Sequence, residues 1–182
     1  MAAPTTFASA AALPVSAPPK LLSIPTGPWT VYFHEPEDPS WTAESYKNIA
    51  VCSTVEGLSV ILNQLGPEKI TGGLLRIMRG SYSPLWENKA NIHGGSYCLK
   101  ILGTVAIDVF KRYLTAAILG LCANDPENQI VGVTISPKTN TCIIKIWNLD
   151  AKRFHRPEEI PLLHPAVKTA EILYRPHTEQ RM

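Results

Sequence analysis

Apolar and polar residues alternate along much of this chain, and the alternation predicts strands before anything else. In Trp29-Thr-Val-Tyr-Phe-His34, Trp29, Val31 and Phe33 face one way, and Thr30, Tyr32 and His34 the other. Tyr46 to Val51, Leu74 to Arg79, His93 to Leu102, Gln129 to Ile135 and Thr141 to Asn148 read as further strands. Glu171 to Arg175 reads as a last short one. On the 141–148 strand, Cys142, Ile144 and Ile146 form the core face and Ile143, Lys145 and Trp147 the opposite face. Two stretches change to a helical period. The first opens with a capping box, Ser53-Thr-Val-Glu56, carries Val55, Leu58, Leu62 and Leu65 on one stripe, and stops at Gly66-Pro67. The second runs from Val105 to about Ala123 and ends at Asn124-Asp-Pro126. Pro161 to Ala170 is a short helix or a loop. Strands and helices without regular strand-helix-strand units argue for an antiparallel sheet with helices on one face.

Composition narrows the function classes. The 182 residues suit one domain, with 45% hydrophobic and 18% charged residues. A net charge of +2 points to a local pocket rather than a long basic track for any nucleic acid. Residues 1–26 are mostly Ala, Pro, Ser and Thr and read as a flexible tail, leaving residues 27–182 as a single domain. Cys52, Cys98, Cys122 and Cys142 lack Cys-x-x-Cys spacing, so buried reduced thiols are expected and no metal. No apolar run has the length of a membrane span, and no basic lead precedes the Ala-rich start. The cytoplasm is the expected compartment, with the nucleus as a second.

The chemistry gathers in Ser83-Pro84-Leu85-Trp86-Glu87-Asn88, followed by His93-Gly94-Gly95. An indole face attracts a flat cation, and a neighbouring carboxylate accepts two parallel N–H donors at that cation's edge. N7-methylguanine carries a ring charge together with an adjacent amide N–H and amino group. Trp41, carried by the polar loop Glu35-Pro-Glu-Asp-Pro-Ser40, is the candidate for a second aromatic plane. The paired glycines either make a tight turn or let backbone approach a ligand. Catalytic carboxylate pairs, a Ser-His-Asp spacing, a phosphate-cradling glycine loop and a cofactor motif are all missing. The expectation is therefore a binding protein and not an enzyme, without cofactor.

Taken in order, Trp29 to Phe33, Ser40-Trp41, Ser53 to Glu56, Pro84 to Asn88, Gly94-Gly95 and Ile144 to Trp147 resemble the eukaryotic translation initiation factor 4E family. That resemblance implies an α+β fold, with a curved antiparallel sheet of about eight strands and about three helices on its convex face. It implies that Trp41 and Trp86 sandwich the methylated cap base of mRNA, that Glu87 takes its N1 and N2 hydrogens, and that Trp147 touches the N7 methyl. Lys138 matches a basic phosphate ligand, and Lys145 and Arg153 are candidates for others. Where the family offers basic residues, this chain has Ser96, Asn140 and Ile143, so weaker cap affinity or a differently built phosphate grip is expected. On the convex face Val55, Leu58, Ser59, Leu114 and Ile118 fall where the family binds its scaffold factor 4G and inhibitory 4E-binding proteins. Ser59 replaces an anchoring tryptophan there. A second reading is a protein-interaction module of the same fold, weak in cap binding, that regulates translation.

Overall fold

The computed structural model describes residues 21–179, so residues 1–20 of the tail expected over residues 1–26 lie outside them. Seven strands form one antiparallel sheet in the order β2-β1-β3-β5-β6-β4-β7. They are β1 (Trp29–His34), β2 (Lys47–Cys52), β3 (Leu74–Arg79), β4 (Gly95–Leu102), β5 (Ile130–Pro137), β6 (Thr141–Asn148) and β7 (Leu173–Pro176). Two α-helices, α1 (Val55–Gly72) and α2 (Gly103–Ile118), cover one face, and four 3-10 turns complete the described chain. Against the expected curved antiparallel sheet of about eight strands with about three helices, the described residues form such a sheet with seven strands and two α-helices. The 161–170 stretch contributes only the start of a 3-10 turn at Thr169–Glu171.

Alternation decides which face is buried. Trp29, Val31, Leu75, Ile77, Val133, Ile135, Ile144 and Ile146 are all fully buried beneath the helices. Helix α2 adds Ala106, Val109, Phe110, Tyr113 and Leu114 to the same core. The four cysteines are buried free thiols.

Helix ends differ from the sequence expectation for identifiable reasons. Thr54, not Ser53, caps α1, its Oγ1 accepting from Gly57 N at 3.2 Å. Glu56 does not reach back to the cap. Its carboxylate accepts the Leu22 N–H at 2.9 and 3.1 Å and straps the incoming chain to the helix. Gly66 breaks α1 without ending it: φ of 69° is open to glycine, and Pro67 starts a further helical turn that runs to Gly72. Helix α2 stops at Ile118, short of Ala123, because Gly120 adopts φ 74° and Leu121 N donates back to Ala116 O at 2.7 Å.

The packed chain also begins earlier than residue 27. Ser23 bridges Thr54, Ile24 is 4% exposed, and Thr26 Oγ1 accepts from the Trp29 indole N–H at 2.9 Å.

Candidate functional site

The open face of the sheet carries the polar half of each alternating strand. Across it, register aligns Tyr32, Arg76, Thr134, Lys145 and Cys98 in one row, and Met78, Gly132, Trp147, Ser96 and Arg175 in the next. A cavity of about 490 Å³ opens at the β1–β3–β5–β6 end of this face. Trp41, Trp86, Trp147, Lys138 and Lys145 all line it, so the sheet gathers five candidates drawn from four separate stretches of sequence.

Trp41 is 61% exposed, yet its position is fixed. Its ring lies parallel to the buried His34 imidazole, with centroids 4.5 Å apart and 3° between planes. His34 Nε2–H donates to Ser40 O at 2.7 Å, holding the loop that presents the indole. The histidine is the seat of Trp41.

The Trp86 loop is pinned from below. The buried Asn91 amide donates to both Ser83 O and Leu85 O at 2.8 Å, and Leu85 N donates to Ser83 Oγ at 3.2 Å. Asn91 O in turn accepts from Nδ1–H of the buried His177, just after β7, at 2.8 Å. Trp86 itself is half-buried against the cluster of Met78, Val131 and Trp147. Glu87 is exposed, makes no ion pair among the described residues, and is not among the residues lining the cavity.

Trp147 is 2% exposed and contributes a ring to the cavity wall. The Arg76 guanidinium lies 5.1 Å from its centroid and 4.8 Å from that of Tyr46. Desolvation holds the Arg76 pKa below its usual range, partly offset by Tyr46 and Glu87. Desolvation likewise lowers the Lys145 pKa, with Arg76, Arg175 and Lys138 repelling its charge. Sequence reading passed over Arg76. The available signal was its place at the centre of a strand, on the face opposite Leu75 and Ile77.

Arg153 is not brought to the cavity. It pairs with Glu127 and lies 4.9 Å over the Phe154 ring, so its charge is already matched elsewhere. Gly94 and Gly95 do not form a positive-φ turn. A side chain at Gly94 would strike the Asn148 carbonyl, and one at Gly95 the Tyr174 ring; the close approach is to protein. Behind them, Asn148 accepts from Gly95 N (3.1 Å) and Tyr174 OH (2.8 Å) and donates to Asn128 Oδ1 (3.0 Å) and Phe154 O (2.9 Å).

On the helix-covered side, Val55, Leu58, Ser59, Leu114 and Ile118 line one groove of about 170 Å³ between α1 and α2. Leu58, Leu114 and Ile118 are only 2% exposed, so of these five Ser59 and Val55 reach its accessible rim, together with Asn63, Lys111 and Thr115.

The family model for Eukaryotic initiation factor 4E matches residues 26–181. The Arabidopsis thaliana protein "Eukaryotic translation initiation factor NCBP" is 29% identical over 110 residues, 59% of this chain and 49% of that one. The chain spans about half the length of most of the relatives it matches. Among solved structures, Ascaris suum eIF4E-3 in complex with m7G cap superposes with a TM-score of 0.68 at 16% identity, covering 90% of this chain and 95% of that one. Caenorhabditis elegans eIF4E-3, in complex with the 4E-binding protein Mextli and a cap analog, superposes at 0.63 with 18% identity, covering 74% and 78%.

Proposed function

The chain belongs to the eukaryotic initiation factor 4E family, and we propose that it binds the 7-methylguanosine cap of mRNA and acts in translation initiation. The observation that carries this reading is Trp41: an exposed indole held rigidly on His34, on a cavity also lined by Trp86. An indole held in one orientation with one face free offers a ready stacking plane for a flat ligand. A methylated, positively charged purine stacked on that free face gains about 2 kcal/mol or more once water is excluded.

In this reading the base enters between Trp41 and Trp86, and the Glu87 carboxylate closes over its N1 and N2 hydrogens. Trp147 forms the wall beside the N7 methyl. Lys138 and Lys145 face the phosphates. The task is recognition, with no bond broken. The groove rimmed by Val55 and Ser59 receives a helical segment of a 4G-like scaffold or of an inhibitory 4E-binding protein. The structural relatives complexed with such a protein and with cap favour this over a module without useful cap affinity. The cytoplasm, where capped messages are translated, is the proposed place of action.

Titration of the intrinsic tryptophan fluorescence with 7-methylguanosine triphosphate and with GTP tests the proposal. Methylation is expected to tighten binding by about tenfold or more, in line with a desolvated cation–π term. Equal affinities would overturn it. Trp41→Ala is expected to abolish the preference while lowering stability by only about 1 kcal/mol, since its side chain is mostly in solvent and loses one stacked ring, His34.

A further inference from the structure

We propose that Arg76 and Lys145 form an anion-binding floor in the cavity, and that this pair, rather than the exposed Lys138 at the rim, is the main grip on a ligand's polyphosphate. The proposal rests on the cap-binding reading for the identity of the base, but on separate observations for the anion.

Register fixes the pair. Arg76 on β3 faces Thr134 on β5, and Thr134 faces Lys145 on β6, so both cations rise from the same row of the open face with one short side chain between them. Both line the cavity. Among the described residues neither makes an ion pair with a carboxylate. The Arg76 Nε and Nη1 atoms are buried without a hydrogen-bond partner.

Burying two of a guanidinium's three nitrogens without a hydrogen-bond partner is costly, and holding a second cation within repelling distance adds to the cost. The rings of Tyr46 and Trp147 offset part of it, because their faces attract the guanidinium. Those rings also hold the guanidinium in place. Unused, directed N–H donors beside an ammonium group match the oxygens of a phosphate chain. Thr134, buried between the two cations, leaves the space open.

Binding is measured on the full chain by calorimetry with three probes: 7-methylguanosine, 7-methylguanosine triphosphate and inorganic tripolyphosphate. Tripolyphosphate is expected to displace the triphosphate nucleotide. Arg76→Gln and Lys145→Gln are each expected to weaken the triphosphate by about tenfold or more. Each should leave the phosphate-free nucleoside within about twofold of the parent and lower the salt dependence of triphosphate binding. Lys138→Gln is expected to have the smaller effect. If both cavity variants bind the triphosphate like the parent, or lose nucleoside and triphosphate equally, the floor does not exist. Should Arg76→Gln fail to fold, Lys145→Gln and displacement by tripolyphosphate decide the matter. If GTP and the methylated nucleotide bind equally, yet both weaken in the variants, the floor stands and the methyl-selective base reading falls.

Discussion

Asn148 shows what a single buried polar side chain contributes. Its amide satisfies a backbone N–H, a tyrosine hydroxyl, a second amide and a backbone carbonyl, linking β4, β7, the segment before β5 and the turn after β6. Asn148→Ala would strand all four groups, and leaving buried polar groups unpaired costs about 1–3 kcal/mol each before relaxation. A loss of about 3 kcal/mol or more is expected by chemical denaturation, while Asn140→Ala, in the exposed hairpin, should stay within about 0.5 kcal/mol. The roles of Trp29 and Trp41 follow from opposite environments. Trp29 is fully buried, and the strict alternation of β1 showed that in the sequence. Trp41 was legible as a loop residue. The His34 ring beneath it was not, because the loop between them, Glu35 to Ser40, has no regular period from which a contact could be read. Arg76 was hidden for a related reason: its surroundings come from β6 and from Tyr46, and only the sheet brings them together.

At the scale of elements, the strands read well and the helix ends poorly. Strand register depends on a two-residue period visible in any window, whereas the break inside α1 and the end of α2 turned on single glycines at φ 69° and 74°. A Gly66-Pro67 pair stops a helix in isolation, yet here the chain resumes helical geometry because Ile70 is buried in the core. The α1–α2 groove offers a test of its own. Ser59 is exposed on its rim, at the position where the resemblance implies an anchoring tryptophan. Ser59→Trp is expected to tighten binding of a 4E-binding helical peptide by about 2 kcal/mol, the scale of an interface anchor, as read by fluorescence anisotropy. No gain would mean that partners use another surface.

Across the whole molecule, the acid limit of stability is set in part by His177. Burial, with Lys145 and Arg76 adding repulsion, pushes its pKa down to about 4, against the opposing hydrogen bond to Asn91. The unfolded chain takes up that proton near pH 6.5, so between about 6.5 and 4 the unfolded state binds more protons than the native one. The contribution of neutral His177 is whole above pH 6.5 and is lost as pH falls through that window, at up to about 1.4 kcal/mol per pH unit. Urea unfolding at pH 7 and pH 5 should show this loss, and His177→Gln should reduce it. A slope unchanged in the variant would assign the acid sensitivity to other groups.

The strap formed by residues 22–26 sets where a minimal recombinant domain can begin. A protein shortened to start at Trp29 loses Ile24 from the core, the Thr26 acceptor of the Trp29 indole and the amide held by Glu56. It would then expose the start of α1 to proteases, so the N-terminal cut for expression belongs at or before residue 21.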